Sequence, residues 1–284
     1  HQLPPQPADR PDACDRAGAE EPQHQAGRQR EAAGREGAQQ PAGPSAGGAR
    51  GAAAARPAGQ GLSLGIISAM PSMPAPTSPG LVLRDGPALP PLSHFRLAAF
   101  DMDSTLIGIE CIDEIAALAG RGAEVAAITE AAMRGEITDF KDSLRRRLAL
   151  LAGVPATVLD RVLAERLTFN PGARALCAAL KAAGLKLVLV SGGFTFFTRY
   201  VAAELGMDFV RSNELEIEHG ALTGRVVMQD WGDICDGEQK RLMLLESCER
   251  MGCRPDQAIA VGDGANDLPM MGAAGLSVAY HAKP

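Results

Sequence analysis

Phe95-Arg96-Leu97-Ala98-Ala99-Phe100, followed at once by Asp101-Met102-Asp103-Ser104-Thr105, is the stretch whose reading decides the fold. A mostly apolar run ending in a carboxylate predicts a buried parallel strand that delivers Asp101 to the carboxyl edge of a sheet, where open α/β folds keep their sites. Asp101 and Asp103 are two residues apart, which in extended chain puts both on one face. Two carboxylates facing one point call for a divalent cation, a shared proton or a division of labour. An ordinary Asp/Ser/Thr turn after a strand would be spelled the same way, so the motif alone leaves both readings open.

Two further units of the same design lie downstream. Leu185-Lys186-Leu187-Val188-Leu189-Val190 runs into Ser191-Gly192-Gly193, read as a turn, and Ala258-Ile259-Ala260-Val261 runs into Gly262-Asp263-Gly264-Ala265-Asn266-Asp267. Three strands that each stop at small or acidic residues predict an α/β fold with a doubly wound parallel sheet whose tips share one crevice.

The rest of the chain sorts around that core. The first 60 residues hold a single large aliphatic or aromatic side chain, Leu3, and all eleven aromatics lie from Phe95 onward. Seven prolines between Met70 and Leu92 suggest an extended linker. Residues 1–92 are therefore expected to lack a fold of their own. His1 is not an initiator, and Met70 and Met73 are the expected starts, with the preceding residues an extension of the reading frame. No ordered secretion signal or span of bilayer length is found there, so a cytoplasmic protein is expected, with no membrane partner.

Basic and acidic residues balance at eight each over the first 94, so the net charge of −6 belongs to the part that follows. An acidic domain is a poor partner for a phosphate backbone, and no nucleic acid is expected. The six cysteines (14, 111, 177, 235, 248, 253) form no CxxC pair and are read as reduced thiols. Cys111 is read as a packed thiol.

Between the first two strands, Ile112–Ala119, Gly122–Met133, Phe140–Leu151 and Pro155–Leu167 carry helical apolar spacing with glycine stops, and Pro155 fits a first turn. Four helices exceed a simple crossover, so residues 111–170 are read as a helical cap inserted into a core of 93–110 and 171–284. Asn170-Pro171 is read as the N-cap and first turn of the next helix. A helix follows over Phe194–Leu205, with Phe194, Phe196 and Phe197 as core. Glu214–Val227 is read as a hairpin turning at His219-Gly220, and Asp236 with Gln239 as a capping pair.

Asp101, Asp103, Ser191, Gly192, Gly193, Lys240, Asp263 and Asp267 supply the parts of phosphoryl transfer through an aspartyl intermediate. These are a carboxylate nucleophile, a second carboxylate as acid and base, oxygen donors and carboxylates for a divalent cation. Lys240 alone has the spelling of a solvated helix lysine, Arg145, Arg146 and Arg147 that of a solvent face, and Met133 and Phe140 that of core.

Asp101-Met-Asp-Ser-Thr, Ser191-Gly-Gly-Phe and Gly262-Asp-Gly-Ala-Asn-Asp resemble the signature motifs of the haloacid dehalogenase superfamily, a Rossmann-like fold. Ile109-Glu-Cys-Ile-Asp-Glu-Ile115, Ala132-Met-Arg-Gly135, Ser143-Leu-Arg-Arg-Arg147 and Asn213-Glu-Leu-Glu-Ile217 extend the match to members that act on an amino-acid phosphate. The resemblance covers about residues 95–284. It implies Mg²⁺-dependent hydrolysis of O-phosphoserine, the last step of serine biosynthesis, by a monomer or homodimer. It also implies Asp101 as nucleophile and Asp103 as acid and base, with Mg²⁺ on Asp101, the backbone carbonyl of Asp103, and Asp263. Ser191, Gly192, Gly193 and Lys240 would bind phosphate, and Asn266 and Asp267 would complete that loop. From the cap, Glu110 would meet the substrate ammonium and Arg147 its carboxylate, while Met133 and Phe140 close over it. Family members continue past Pro284, so the chain is expected to be a fragment. Another small-molecule phosphatase of the superfamily or a phosphoserine-homoserine phosphotransferase would keep the core residues and differ in the cap. An ion-pump phosphorylation domain usually lacks a carboxylate at Asp103, and a non-catalytic module would be expected to have lost one of the core residues.

Overall fold

The computed structural model describes residues 89–282. The expected leader over 1–92, with its starts at Met70 and Met73, falls outside these residues except for its last four. Strand β1, Leu97–Phe100, is buried along its whole length. It pairs in parallel on one side with β2, Lys186–Phe194, and on the other with β5, Ala258–Gly262. Strands β3, Phe209–Glu218, and β6, Leu276–Ala279, extend the sheet on the two sides. Strand β4, Ala221–Val227, closes one edge as an antiparallel neighbour of β3, giving the order β4-β3-β2-β1-β5-β6.

The alternation of the strands divides the core. Leu97, Ala99, Val188 and Val190 face helices α7, Gly237–Met251, and α8, Leu268–Ala273, meeting Met243, Leu244 and Met270. Ala98, Phe100, Leu187 and Leu189 face the other way. There they meet Cys177 and Leu180 of α5, Ala173–Ala182, and Phe197 and Val201 of α6, Thr195–Leu205. Side chains pointing alternately up and down a strand can bury both faces only if helices cover both, which is the doubly wound arrangement.

Four helices lie between β1 and α5: α1, Cys111–Leu118; α2, Gly122–Met133; α3, Phe140–Ala149; and α4, Thr157–Glu165. The hairpin turns at His219 and Gly220, both with positive φ (51° and 77°), as a two-residue primed turn requires. Its β4 strand is stitched to the α3–α4 connection by Gly153 N–H to Leu222 O and Ala156 N–H to Gly220 O, each 2.8 Å.

Three local expectations are corrected. Ser191-Gly192-Gly193 is not a turn: β2 runs through it to Phe194, with a register irregularity between Val190 and Phe194 where it pairs with β3. Asn170 does not cap α5, which starts at Ala173 behind Gly172. Its side-chain amide instead donates to the carbonyls of Thr105 (2.9 Å) and Ile107 (3.2 Å), fixing the loop after β1. Pro155 is outside α4 and forms a bridge with Ala221, because the hairpin claims that backbone before the helix begins.

Candidate active site

The central strands β2, β1 and β5 are neighbours, so their carboxyl ends bring Ser191, Asp101 and Asp263 to one place. Lys240 reaches them from the first turns of α7. That helix starts where Asp236 accepts the backbone N–H of Gln239 at 2.9 Å, as the capping pair predicts. Lys240 is completely buried and its Nζ lies 2.8 Å from Asp101 Oδ1 and 2.7 Å from Asp267 Oδ1. Burial works against its charge, but Asp101 and Asp267 outweigh that and hold it above the ordinary lysine range. Asp101 is pushed up by its own burial, with Lys240 opposing and Asp267 and Asp103 adding to the rise.

Asp267 organises the loop after β5. Its second oxygen accepts the backbone N–H groups of Asp263 (3.1 Å) and Gly264 (3.0 Å). Asp263 Oδ1 accepts the hydroxyl of Thr105 at 3.2 Å, which ties the β5 loop to the β1 loop. Carboxylate oxygens of Asp101, Asp263 and Asp267 all lie within 4.8 Å of one another, and all three residues are buried. Within this cluster the Lys240 ammonium pairs with Asp101 and Asp267. An all-oxygen set with surplus negative charge suits a hard divalent cation.

Asp103 sits in a different setting from Asp101. Its Oδ1 accepts the backbone N–H of Cys111 at 3.3 Å, at the start of α1. Burial, followed by the charge of Glu110, raises it to about 7, against the smaller pull of the Cys111 bonds and of Lys240. Glu110 itself accepts the Ser104 hydroxyl at 2.7 Å. The Cys111 thiol is pushed up by burial, then by the Asp103 charge, which fits a packed rather than a reactive thiol. The five described cysteines carry no disulfide.

The Ser191-Gly192-Gly193 segment explains its glycines by close approach. A Cβ on Gly193 would stand 2.7 Å from Asp103 Oδ2, and one on Gly192 would stand 2.8 Å from Phe140 Cζ. The Gly193 N–H donates to Ser191 Oγ at 2.8 Å, so the Ser191 hydroxyl keeps its proton for another acceptor. Gly193 thus also serves as a spacer beside Asp103, in addition to the phosphate contact expected of it. Asn266 lies in the short 3-10 turn Ala265–Asp267, with its Oδ1 2.6 Å from where a Gly264 Cβ would be.

From the insertion, Phe140 reaches Gly192, and Arg147 on the same helix feels the charges of Asp113, Glu110 and Asp103. Burial lowers the Arg147 guanidinium from its ordinary value, with those carboxylates opposing the shift. Met133 is the last residue of α2, and its side chain is outside the described set. Asn213 opens one of the motifs quoted above, but no role was assigned to it from the sequence. It is completely buried, donates to Gly192 O at 2.7 Å and accepts Cys235 N–H at 2.8 Å, so one amide joins the β2 tip to the approach to α7. Thr105 was missed as well, although it stands inside the first motif.

No helix among the described residues is long and apolar enough to cross a membrane. Residues 98–272 match the model of the haloacid dehalogenase-like hydrolases. A phosphoserine phosphatase from Polaromonas sp. is 66% identical over 211 residues, covering 74% of this chain and 89% of that protein. A structure titled as a phospho-aspartyl intermediate analogue of phosphoserine phosphatase matches with TM-score 0.62 and 38% identity, covering 67% of this chain and 88% of the other. The unliganded structure of a probable phosphoserine phosphatase from Vibrio cholerae matches with TM-score 0.60 and 48% identity. It covers 69% of this chain and 58% of that one, so the chain spans well under two thirds of that relative.

Proposed function

The chain belongs to the haloacid dehalogenase-like hydrolase family, and on that premise we propose that it hydrolyses O-phospho-L-serine to L-serine and phosphate through a phosphoryl group carried on Asp101. The observation that carries this reading is the contrast between two carboxylates two residues apart. Asp101 is held against the Lys240 ammonium at 2.8 Å inside the carboxylate cluster, while Asp103 turns one oxygen to the Cys111 amide at 3.3 Å, away from that ammonium. Different partners for two neighbouring carboxyl groups give them different roles, the lysine-held one as nucleophile and the other as acid and base.

In the first step an Asp101 oxygen attacks phosphorus, the phosphorus–oxygen bond to the serine side chain breaks, and protonated Asp103 gives its proton to the departing alkoxide. In the second, Asp103 takes a proton from water, the water oxygen attacks phosphorus, and the bond to Asp101 breaks to release phosphate. Lys240, the Ser191 hydroxyl and the Gly192 amide offer donors to the phosphoryl oxygens, and Asn266 and Asp267 shape the loop beside them. Asp101, Asp263 and the backbone carbonyl of Asp103 would hold Mg²⁺, which when bound neutralises the surplus carboxylate charge and that of the substrate dianion.

Helices α1–α4 act as a cap over the strand tips. Glu110 meets the substrate ammonium and Arg147 its carboxylate, with Phe140 and Met133 closing the pocket. Opposite charges for both groups of the α-carbon distinguish an amino-acid phosphate from a sugar phosphate or a nucleotide.

The test is phosphate release from phosphoserine, phosphothreonine, phosphotyrosine, a sugar phosphate and a nucleotide. Phosphoserine should lead, EDTA should stop turnover and Mg²⁺ restore it, and Asp101→Asn should be inactive yet folded. Equal rates on all substrates would overturn the substrate assignment, and substantial activity in Asp101→Asn would overturn the covalent route.

A further inference from the structure

We propose that Asp233, through ion pairs to Lys141 and Arg145, is a latch that seats helix α3 on the loop before α7 and so positions Phe140 and Arg147 over the phosphoryl site. The inference deepens the function proposed above and rests on it.

Helix α3 carries two residues that face the site and two that do not. Phe140 approaches Gly192, and Arg147 lies within the field of Asp113, Glu110 and Asp103. Lys141 donates to Asp233 Oδ1 at 3.0 Å and lies 3.6 Å from Asp236, and Arg145 pairs with the other oxygen of Asp233. The anchor on the core side is well braced. Gln229 and Gly232 exchange backbone hydrogen bonds of 2.9 and 3.0 Å, which fixes the turn of this loop. Trp231 lies 5.3 Å below the Arg211 guanidinium, itself held by Gln239 and by Glu246 at 2.7 Å. Cys235 N–H is held by Asn213, and Asp236 caps the helix that carries Lys240. Asp233 also accepts Ile234 N–H at 2.9 Å, so its carboxylate is oriented before α3 arrives.

The far side of α3 is tied differently. Its C-terminal connection is sewn to the hairpin by backbone hydrogen bonds at Gly153 and Ala156. One end of the helix is thus fixed by backbone and the other by charge, which is the layout of a hinge and a catch. Lys141 and Asp233 are 29% and 28% exposed, and such pairs are worth at most about fivefold each. A weak catch suits a contact that must hold during chemistry and yield for product release.

The experiment is a double-mutant cycle of Lys141→Met and Asp233→Asn on phosphoserine hydrolysis, with Asp233→Glu as the conservative variant. Methionine keeps the apolar stem, and asparagine keeps the acceptor for Ile234. Lys141→Met should raise KM about two- to fivefold and Asp233→Asn, which loses both pairs, about three- to tenfold, each with melting temperature unchanged. The double variant should be no worse than Asp233→Asn, and Asp233→Glu should recover most of the loss. Trp231 is the one tryptophan in the chain, and its acrylamide quenching should rise in both single variants, more in Asp233→Asn, and no further in the double. Additive losses, wild-type KM in Asp233→Asn, or a melting temperature that falls with activity would overturn the latch. If phosphoserine is not the substrate, the wild type fails to release phosphate from it. The quenching cycle still decides the latch: non-additivity supports it and additivity refutes it.

Discussion

Replacing Gly193 by alanine adds one methyl group at the most crowded point of the site, and the outcome can be worked from the distances. The new Cβ would lie 2.7 Å from Asp103 Oδ2 and 3.0 Å from both Met102 Cε and Ser191 Oγ. Ordinary contact begins near 3.4 Å, so the Asp103 carboxylate must recede by roughly 0.7 Å. It cannot do so freely, because its other oxygen holds the Cys111 N–H at the start of α1. A misplacement of about 1 Å in a reacting group costs on the order of 100-fold. Gly193→Ala should therefore lower kcat for phosphoserine by about 30- to 100-fold, or ~2 to 3 kcal/mol in barrier. Gly192→Ala is the matched control. Its Cβ would meet Phe140 Cζ at 2.8 Å, the far end of a side chain that can swing away, so its main effect should be a higher KM. Steady-state kinetics of both variants, with melting temperatures, make the comparison. A Gly193→Ala enzyme with wild-type kcat, or two variants with the same kinetic defect, would refute the assignment of Gly193 to the acid and Gly192 to the cap.

Two further outcomes can be checked directly. Arg147→Ala should cost roughly 2 to 5 kcal/mol in kcat/KM for phosphoserine, about 30-fold to several-thousand-fold, and little for glycerol 2-phosphate, which has no carboxylate; equal losses on both would make the arginine structural. Asp103 must be protonated to release the alkoxide and is raised to about 7 by burial and then by Glu110, so kcat/KM should fall as pH rises through about 7. Glu110→Gln removes a repelling charge, lowers the Asp103 pKa and should move that limb to lower pH in a glycerol 2-phosphate pH profile; a limb that stays put would detach Asp103 from it.

The strand tips were legible because a buried strand writes itself as an apolar run and the chemistry begins where the run stops. Asp101, Ser191 and Asp263 follow from that rule alone, and Lys240 gains its meaning from lying between the second and third motifs. Ser191-Gly192-Gly193 was read as a turn because glycine pairs usually mark one. Here the glycines answer to Asp103 and Phe140, neighbours that only the fold supplies. Asn170 has the residue type of an N-cap and uses its amide on the carbonyls of a distant loop. Asp233 carries no local signal, and Asn213 stands in a quoted motif whose spelling does not show its bridge, since an asparagine on a strand and an aspartate in a loop look the same whether or not they join two elements. Polar bridging between distant segments is the part of a site that periodicity cannot report.

The sheet order sets a timetable for the ribosome. β1 emerges early, yet one of its two partners is β5, with Leu97 opposite Ala258. At about 5 to 20 residues per second, the 160 positions between them take roughly 10 to 30 s to synthesise. Throughout that time one edge of a wholly buried strand lacks its neighbour, and Asp101 stands without the loop that brings Asp263 and Asp267. A nascent chain of this kind is exposed to edge-to-edge association until β5 appears. Slow translation late in the message would lengthen that hazard, whereas slow translation across the insertion would give α1–α4 time to pack first.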